Sequence, residues 1–154
     1  MIGGIGWSIS ATSILKIDTT GALLWSKTYT EPISWDLELL NISTAANGDI
    51  ITTGRGYLNG TTWDIFSMRL NSQGNFLWGK SYVENTSDDE GYAIHELNSG
   101  ELVICAEPES FNIATTASQT ALLKLDALGN LIKMKIIRPA DMSFPFNSIL
   151  HNDG

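Results

Sequence analysis

One stretch constrains the fold of this chain more than any other. Residues 13–29, SILKIDTTGALLWSKTY, return as residues 66–82, FSMRLNSQGNFLWGKSY, and again as residues 121–137, ALLKLDALGNLIKMKII. The glycines of the three copies, Gly21, Gly74 and Gly129, stand 53 and 55 residues apart. A second marker, Asn47-Gly48, Ser99-Gly100 and Asp153-Gly154, is spaced by 52 and 54. Two independent markers report one period in the low fifties, and a chain repeating at that length builds itself from stacked units that cannot bury their faces alone.

Each copy reads as a hairpin. Asp18-Thr-Thr-Gly21, Asn71-Ser-Gln-Gly74 and Asp126-Ala-Leu-Gly129 carry a short polar side chain at the first place and glycine at the fourth. A three-residue hairpin loop wants this pattern, because the Asp or Asn bonds back to the turn and glycine takes the left-handed conformation without a Cβ clash. Counting outward from the first turn sets Ile17 opposite Leu23 and Leu15 opposite Trp25. The second copy sets Leu70 opposite Phe76 and Met68 opposite Trp78; the third sets Leu125 opposite Leu131 and Leu123 opposite Lys133. Apolar residues at period two, rich in aromatic and β-branched types, predict strands. A second hairpin precedes each later copy: 37–45 and 49–54 flank Asn47-Gly48, and 92–97 and 101–106 flank Ser99-Gly100. A full unit is then four antiparallel strands, A to D, at 37–45, 49–54, 64–71 and 75–82 in the best-preserved case.

Four-stranded units at this spacing predict an all-β chain of the β-propeller type, with both faces of a blade covered by its neighbours. Ile14 and Leu24 accordingly make the face opposite Trp25 partly apolar. The segments LLKLDALGN, LWSKTY, LWGKSY and GDIITTG resemble the repeats of bacterial β-propeller arrays, which read roughly LxKxDxxGNxLWxKxY and then DGxxIxxG. The third copy departs from that pattern, with Lys133 at the Trp place and Ile137 at the Tyr place. The resemblance implies a secreted or surface-displayed binding or scaffold module.

The whole chain, 1–154, reads as one half-propeller domain with blades at about 36–82, 90–137, and 144–154 joined to 1–29. Ile2-Gly3-Gly4 matches strand B, and residues 146–150 followed by Asn152-Asp153-Gly154 match strand A and its turn, so the three blades are in cyclic phase. Three blades cannot close a ring, since propellers have four to eight. The expectation is a homodimer closing a six-bladed ring, the split blade completed by strand exchange. The competing reading is a piece of a longer array.

Composition narrows the partners. Nine Lys and Arg against 17 Asp and Glu leave a net charge of −8. That disfavours nucleic acid and anionic membrane, which reward basic residues. Cys105 is the one cysteine and sits in the apolar run LVICA, as a buried thiol would. No apolar run approaches the ~18 residues of a membrane-spanning helix. MIGGIGWS lacks the basic and long apolar regions of a signal peptide.

Function is expected on the longer connections. Segments 5–12, 55–63 and 107–119 join strands B and C; segments 30–35, 83–89 and 138–143 join D and A. They lie at the end opposite the tight turns, and long loops on a rigid frame commonly carry binding. They hold Trp7, Trp35, Tyr57, Trp63 and Phe111, and ten of the acidic residues fall on or beside them. Asp36, Asp88, Asp89 and Asp141 recur just before strand A. These nine residues are the candidate ligand contacts, for a protein or a glycan. The recurring aspartates could ring a channel and hold Ca²⁺, which takes six to eight oxygens; against that, each could cap the turn into strand A by accepting backbone N–H bonds, and no cofactor is the expectation. His95 and His151 fall on inner strands at unequal offsets and read as structural or solvent-facing. Lys27, Lys80 and Lys135 read as charges that protect an outer strand from edge pairing. No nucleophile–base pair, phosphate loop or HExxH motif occurs, which favours a non-catalytic scaffold. The alternatives are a propeller lyase or glycosidase with channel carboxylates, and a purely structural repeat fragment.

Overall fold

A computed structural model describes residues 11–29, 36–57, 62–82, 87–108, 119–137 and 147–149, and the backbone of 2–4. Among these residues every regular element is a strand, and all pairings are antiparallel. The first sheet is β1 (Ile2–Gly4), β2 (Thr12–Ile17) and β3 (Leu23–Tyr29) in the order 1-2-3. The second is β4 (Asp36–Thr44), β5 (Ile50–Tyr57), β6 (Trp63–Leu70) and β7 (Phe76–Tyr82) in the order 4-5-6-7. The third is β8 (Asp89–Glu96), β9 (Leu102–Pro108), β10 (Thr120–Leu125) and β11 (Leu131–Ile137), again as consecutive neighbours. None of the three closes on itself.

The turns have the expected chemistry. Gly21, Gly74 and Gly129 have φ of +88°, +74° and +76°. The Asp18 carboxylate accepts from the N–H groups of Thr20 at 2.8 Å and Ala22 at 2.9 Å. Asn71 and Asp126 make the corresponding pairs of bonds in their own turns. Thr20 and these backbone donors hold the Asp18 carboxyl below its ordinary value, and Asn130 does most to do the same for Asp126.

The strand register differs from the simple count. Ile17 lies opposite Leu23 as expected, but Lys16, not Leu15, is the neighbour on the Trp25 side, and Leu15 faces Ser26. Met68 faces Gly79 rather than Trp78, and Leu123 faces Met134 rather than Lys133. A bulge beside each turn is the cause. The left-handed glycine is followed by one extra residue on the returning strand, Leu24, Leu77 or Ile132. All three are exposed. Because side chains alternate at period two, one inserted residue moves the rest of the strand to the other face. Ile14 therefore packs with Trp25 and Tyr29, not opposite them.

The sheets stack face on face. Ile14, Trp25 and Tyr29 of the first meet Ile50, Phe66, Met68 and Leu70 of the second. On the other side of the second sheet, Ile51, Ile65, Trp78 and Tyr82 meet Ile94, Leu102, Ile104, Ala121, Leu123 and Leu125 of the third. The middle sheet is covered on both faces, so β6 is buried at seven consecutive positions, 64–70. Each large apolar side chain so enclosed stabilises the stack by about 1.5–3 kcal/mol. Cys105 is buried, and burial pushes its thiol up.

A three-point clasp ties the outer strands β3 and β7 to the turn of the next unit. The Trp25 ring covers Gly74, where a Cβ would stand 2.8 Å from Trp25 Cη2. The Tyr29 hydroxyl donates to the Gly74 carbonyl at 2.8 Å, and Lys27 Nζ donates to Asn75 Oδ1 at 2.7 Å. One unit on, Trp78 covers Gly129, Tyr82 donates to the Gly129 carbonyl and Lys80 donates to Asn130. Two of the lysines read as edge protection, Lys27 and Lys80, thus have definite partners on the neighbouring sheet.

Candidate ligand-binding rim

At the end of the sheets opposite the tight turns, three strands of the second sheet bring predicted contacts into one row. Asp36 begins β4, Tyr57 ends β5 and Trp63 begins β6, and the register sets Asp36 opposite Tyr57 and Tyr57 opposite Trp63. The Tyr57 and Trp63 rings lie 5.4 Å apart at 49°, each partly exposed. Asp88 joins them from the chain entering the third sheet: its Oδ1 accepts the Trp63 N–H at 3.0 Å. The expectation that Asp88 caps the turn into its own strand is replaced by this cross-strand bond. Asp36 and Asp88 are exposed, whereas Asp89 is 1% exposed and out of reach of a ligand. Trp7, Trp35, Phe111 and Asp141 lie outside the described residues, as does His151.

Arg55 organises this row, and the sequence count missed it. Its guanidinium stacks over the Trp63 ring at 4.7 Å, pairs with Glu38 at 2.7 Å and reaches Glu90 of the third sheet. Burial alone would lower the Arg55 pKa; the bond to Glu38 and the charges of Glu90, Glu38 and Asp88 outweigh it and hold the pKa above its usual value. Tyr92 donates to Glu90 and, at 3.4 Å, to Glu107, and burial followed by those two carboxylates pushes its pKa up. A signal existed, since Glu38 and Arg55 are cross-strand partners. A bulge that leaves Leu40 unpaired displaces that pairing by one residue from a count starting at Asn47-Gly48.

Asp64, beside Trp63, is fully buried, and neither carboxylate oxygen has a hydrogen-bond partner. Burial, then the Asp88 charge, raises its pKa. Among the described residues no group of three or more His, Cys, Asp and Glu is placed to hold a metal ion.

A cleft of about 440 Å³ opens at the other end, between the tight turns of the second and third sheets. Thr44, Ala46, Asn47, Arg69 and Glu96 line it. Its charges satisfy one another: Arg69 pairs with Asp49 at 2.8 Å and Glu96 at 3.2 Å, and Glu96 also accepts the Ala46 N–H. Binding was expected only at the opposite rim, so this cleft is an addition.

His95 is half-buried. Its Nε2 lies 2.8 Å from the Ser148 carbonyl and 3.1 Å from Ser148 Oγ. A carbonyl can only accept, so Nε2 carries the proton and donates it there. In that tautomer it cannot take a proton from Ser148 Oγ, and the pair serves to hold residues 147–149 against the third sheet.

No family model and no curated protein matches the chain.

Proposed function

We propose that this chain is a non-catalytic β-propeller scaffold that binds a glycan along the rim formed by Asp36, Tyr57, Trp63 and Asp88. The observation that carries the reading is the Tyr57–Trp63 ring pair set in register with Asp36, with Arg55 stacked over the Trp63 ring. A sugar offers an apolar ring face, which suits aromatic side chains, and hydroxyls, which suit carboxylates as acceptors. The anchoring of Arg55 between Glu38 and Glu90 spares the site much of the entropy that ordering loose side chains on binding would cost. Three stacked antiparallel meanders repeating every fifty-odd residues support the propeller architecture.

The test is a glycan-array screen of the labelled chain, followed by titration of the strongest hit. Trp63→Ala and Asp36→Asn should each weaken binding at least tenfold while the circular dichroism spectrum is retained. Full affinity in both variants removes the ligand from this rim. A blank array followed by capture of one defined protein that both variants lose would replace the glycan with a protein partner.

A further inference from the structure

Charge is divided between the two halves of each unit. The hairpins β2–β3, β6–β7 and β10–β11, residues 12–29, 63–82 and 120–137, hold seven basic residues, all six lysines among them, against three acidic ones. The rest of the chain holds two basic residues against fourteen acidic ones. The net charge of −8 therefore belongs to the inner strands and the long connections, not to the outer side of the stack. The edge strands on that side, β3, β7 and β11, contain four lysines and no carboxylate.

Most of this positive charge is not neutralised. Lys27 and Lys80 donate to the amide oxygens of Asn75 and Asn130, and Lys16 donates to the Ser72 carbonyl, all three neutral acceptors. Lys133 and Lys135 are exposed. Among the described residues, only Lys124 of the six lysines pairs with a carboxylate, that of Glu101. Asp18 and Asp126, at the turns of these hairpins, accept N–H groups of their own turns, and Asp126 also feels the charge of Lys80.

An apolar row runs through the same strands. Leu24, Leu77 and Ile132, the extra residues of the three bulges, are 56%, 50% and 52% exposed. Trp25, beside Leu24, covers Gly74, three residues before Leu77. Trp78, beside Leu77, covers Gly129, three residues before Ile132. The three thus follow one another from sheet to sheet, at roughly the 10 Å spacing of stacked sheets. Leu77 belongs to the middle sheet, which is covered on both faces, so its exposure is a property of the repeat and not of the ends of the stack. Leu23 and Leu131 widen the row and are also exposed. A contiguous apolar patch of this kind marks an interaction surface.

We infer that this outer edge docks on an anionic lipid surface, with Leu24, Leu77 and Ile132 entering the headgroup boundary and the lysines meeting the lipid charges. Aliphatic side chains among lysines suit that boundary, where buried apolar area and electrostatic attraction add. A soluble polyanion would use the lysines and leave the aliphatic row in water. The net charge of the whole chain does not oppose such docking, because charges more than about 10 Å away are largely screened at ordinary ionic strength. The protein lies on the bilayer without crossing it. The inference does not rest on the glycan reading of the rim.

Sedimentation with vesicles tests it. Phosphatidylcholine vesicles carrying about 30% phosphatidylserine should bind the chain at least tenfold more tightly than phosphatidylcholine alone, and added salt should release it. Equal binding to both, or binding to neither, overturns the inference. Leu24→Ser with Leu77→Ser and Ile132→Ser should weaken binding at least tenfold, and Lys133→Gln with Lys135→Gln should weaken it clearly, each with the circular dichroism spectrum retained. Binding that the lysine changes abolish and the apolar changes leave intact overturns it in favour of a soluble polyanion. A second measurement leaves the row untouched. In a Cys105→Ala background, an environment-sensitive dye attached through Gln73→Cys, on the exposed turn before Leu77, should shift to the blue on phosphatidylserine vesicles. The same dye attached through Asn98→Cys, on the exposed turn between β8 and β9, should not. A shift at 98 and none at 73 places the lipid on another side and overturns the inference.

Discussion

The Tyr82 hydroxyl donates to the Gly129 carbonyl at 2.8 Å across 47 residues of sequence. The Tyr29 hydroxyl reaches the Gly74 carbonyl in the same way across 45. With Trp78 over the same glycine and Lys80 on Asn130, this contact explains why the conserved-looking letters of the repeat occur together: the end of one unit recognises the turn of the next.

Replacing the turn glycines by alanine should separate two costs. Gly21→Ala meets no atom within 4 Å but must hold φ near +88°, which costs about 1 kcal/mol. Gly74→Ala bears the same backbone cost at +74° and also drives a methyl to 2.8 Å from the Trp25 ring. Urea unfolding should show Gly74→Ala clearly more destabilised than Gly21→Ala, and equal effects would contradict the clasp.

Tyr82→Phe removes one donor and leaves a carbonyl without its partner. A loss of about 1 kcal/mol is expected by urea titration. Tyr29 adds a pH signature, because burial pushes its pKa up to about 12. Its neutral form is favoured in the fold, so its contribution is complete below the unfolded value near 10 and is lost as pH rises toward 12. Tyr29→Phe should flatten the fall in stability over that window.

Arg69 faces Asp49 and Glu96 with its side chain 10% exposed. Arg69→Met should cost about 3 kcal/mol, because two largely enclosed carboxylates lose their cation. Adding Glu96→Gln should recover part of the loss, read from the midpoints of chemical unfolding. Burial opposes ionisation of Asp49, but Asn47 and Arg69 outweigh it and hold its pKa low. The stability it supplies is present above the unfolded value near 4 and is lost as pH falls through the lowered one, a loss that Arg69→Met should blunt.

Asp64 runs the other way. Its raised pKa means the folded chain favours the proton, so its contribution is greatest below the ordinary carboxyl value and is lost as pH rises through the raised one. Asp64→Asn should stabilise the chain at neutral pH and leave it unchanged near pH 3. Destabilisation at neutral pH would show that the carboxylate is charged and has a partner.

Much of this chain was legible without coordinates, and the division has a physical basis. The hairpins rest on bonds that span four residues or fewer, such as those from Asp18 to Thr20 and Ala22, so the DxxG spacing by itself determined the turns, the left-handed glycines and the strands on either side. Among the described residues eleven strands match the period-two patterning around those turns, whereas 147–149, read as part of an inner strand, form none. Register was decided only in three dimensions. A bulge of one residue costs little locally, yet it decides which face Trp25 and Trp78 occupy, and only the neighbouring sheet makes one choice better. The rim divides in the same way. Tyr57 and Trp63 were readable as aromatic residues beside a loop, but Arg55 joins Glu38 and Glu90 from two other strands, 17 and 35 residues distant. Contacts that far apart in sequence leave no local pattern, because they are selected by the stacking of finished sheets rather than by the conformation of any one segment.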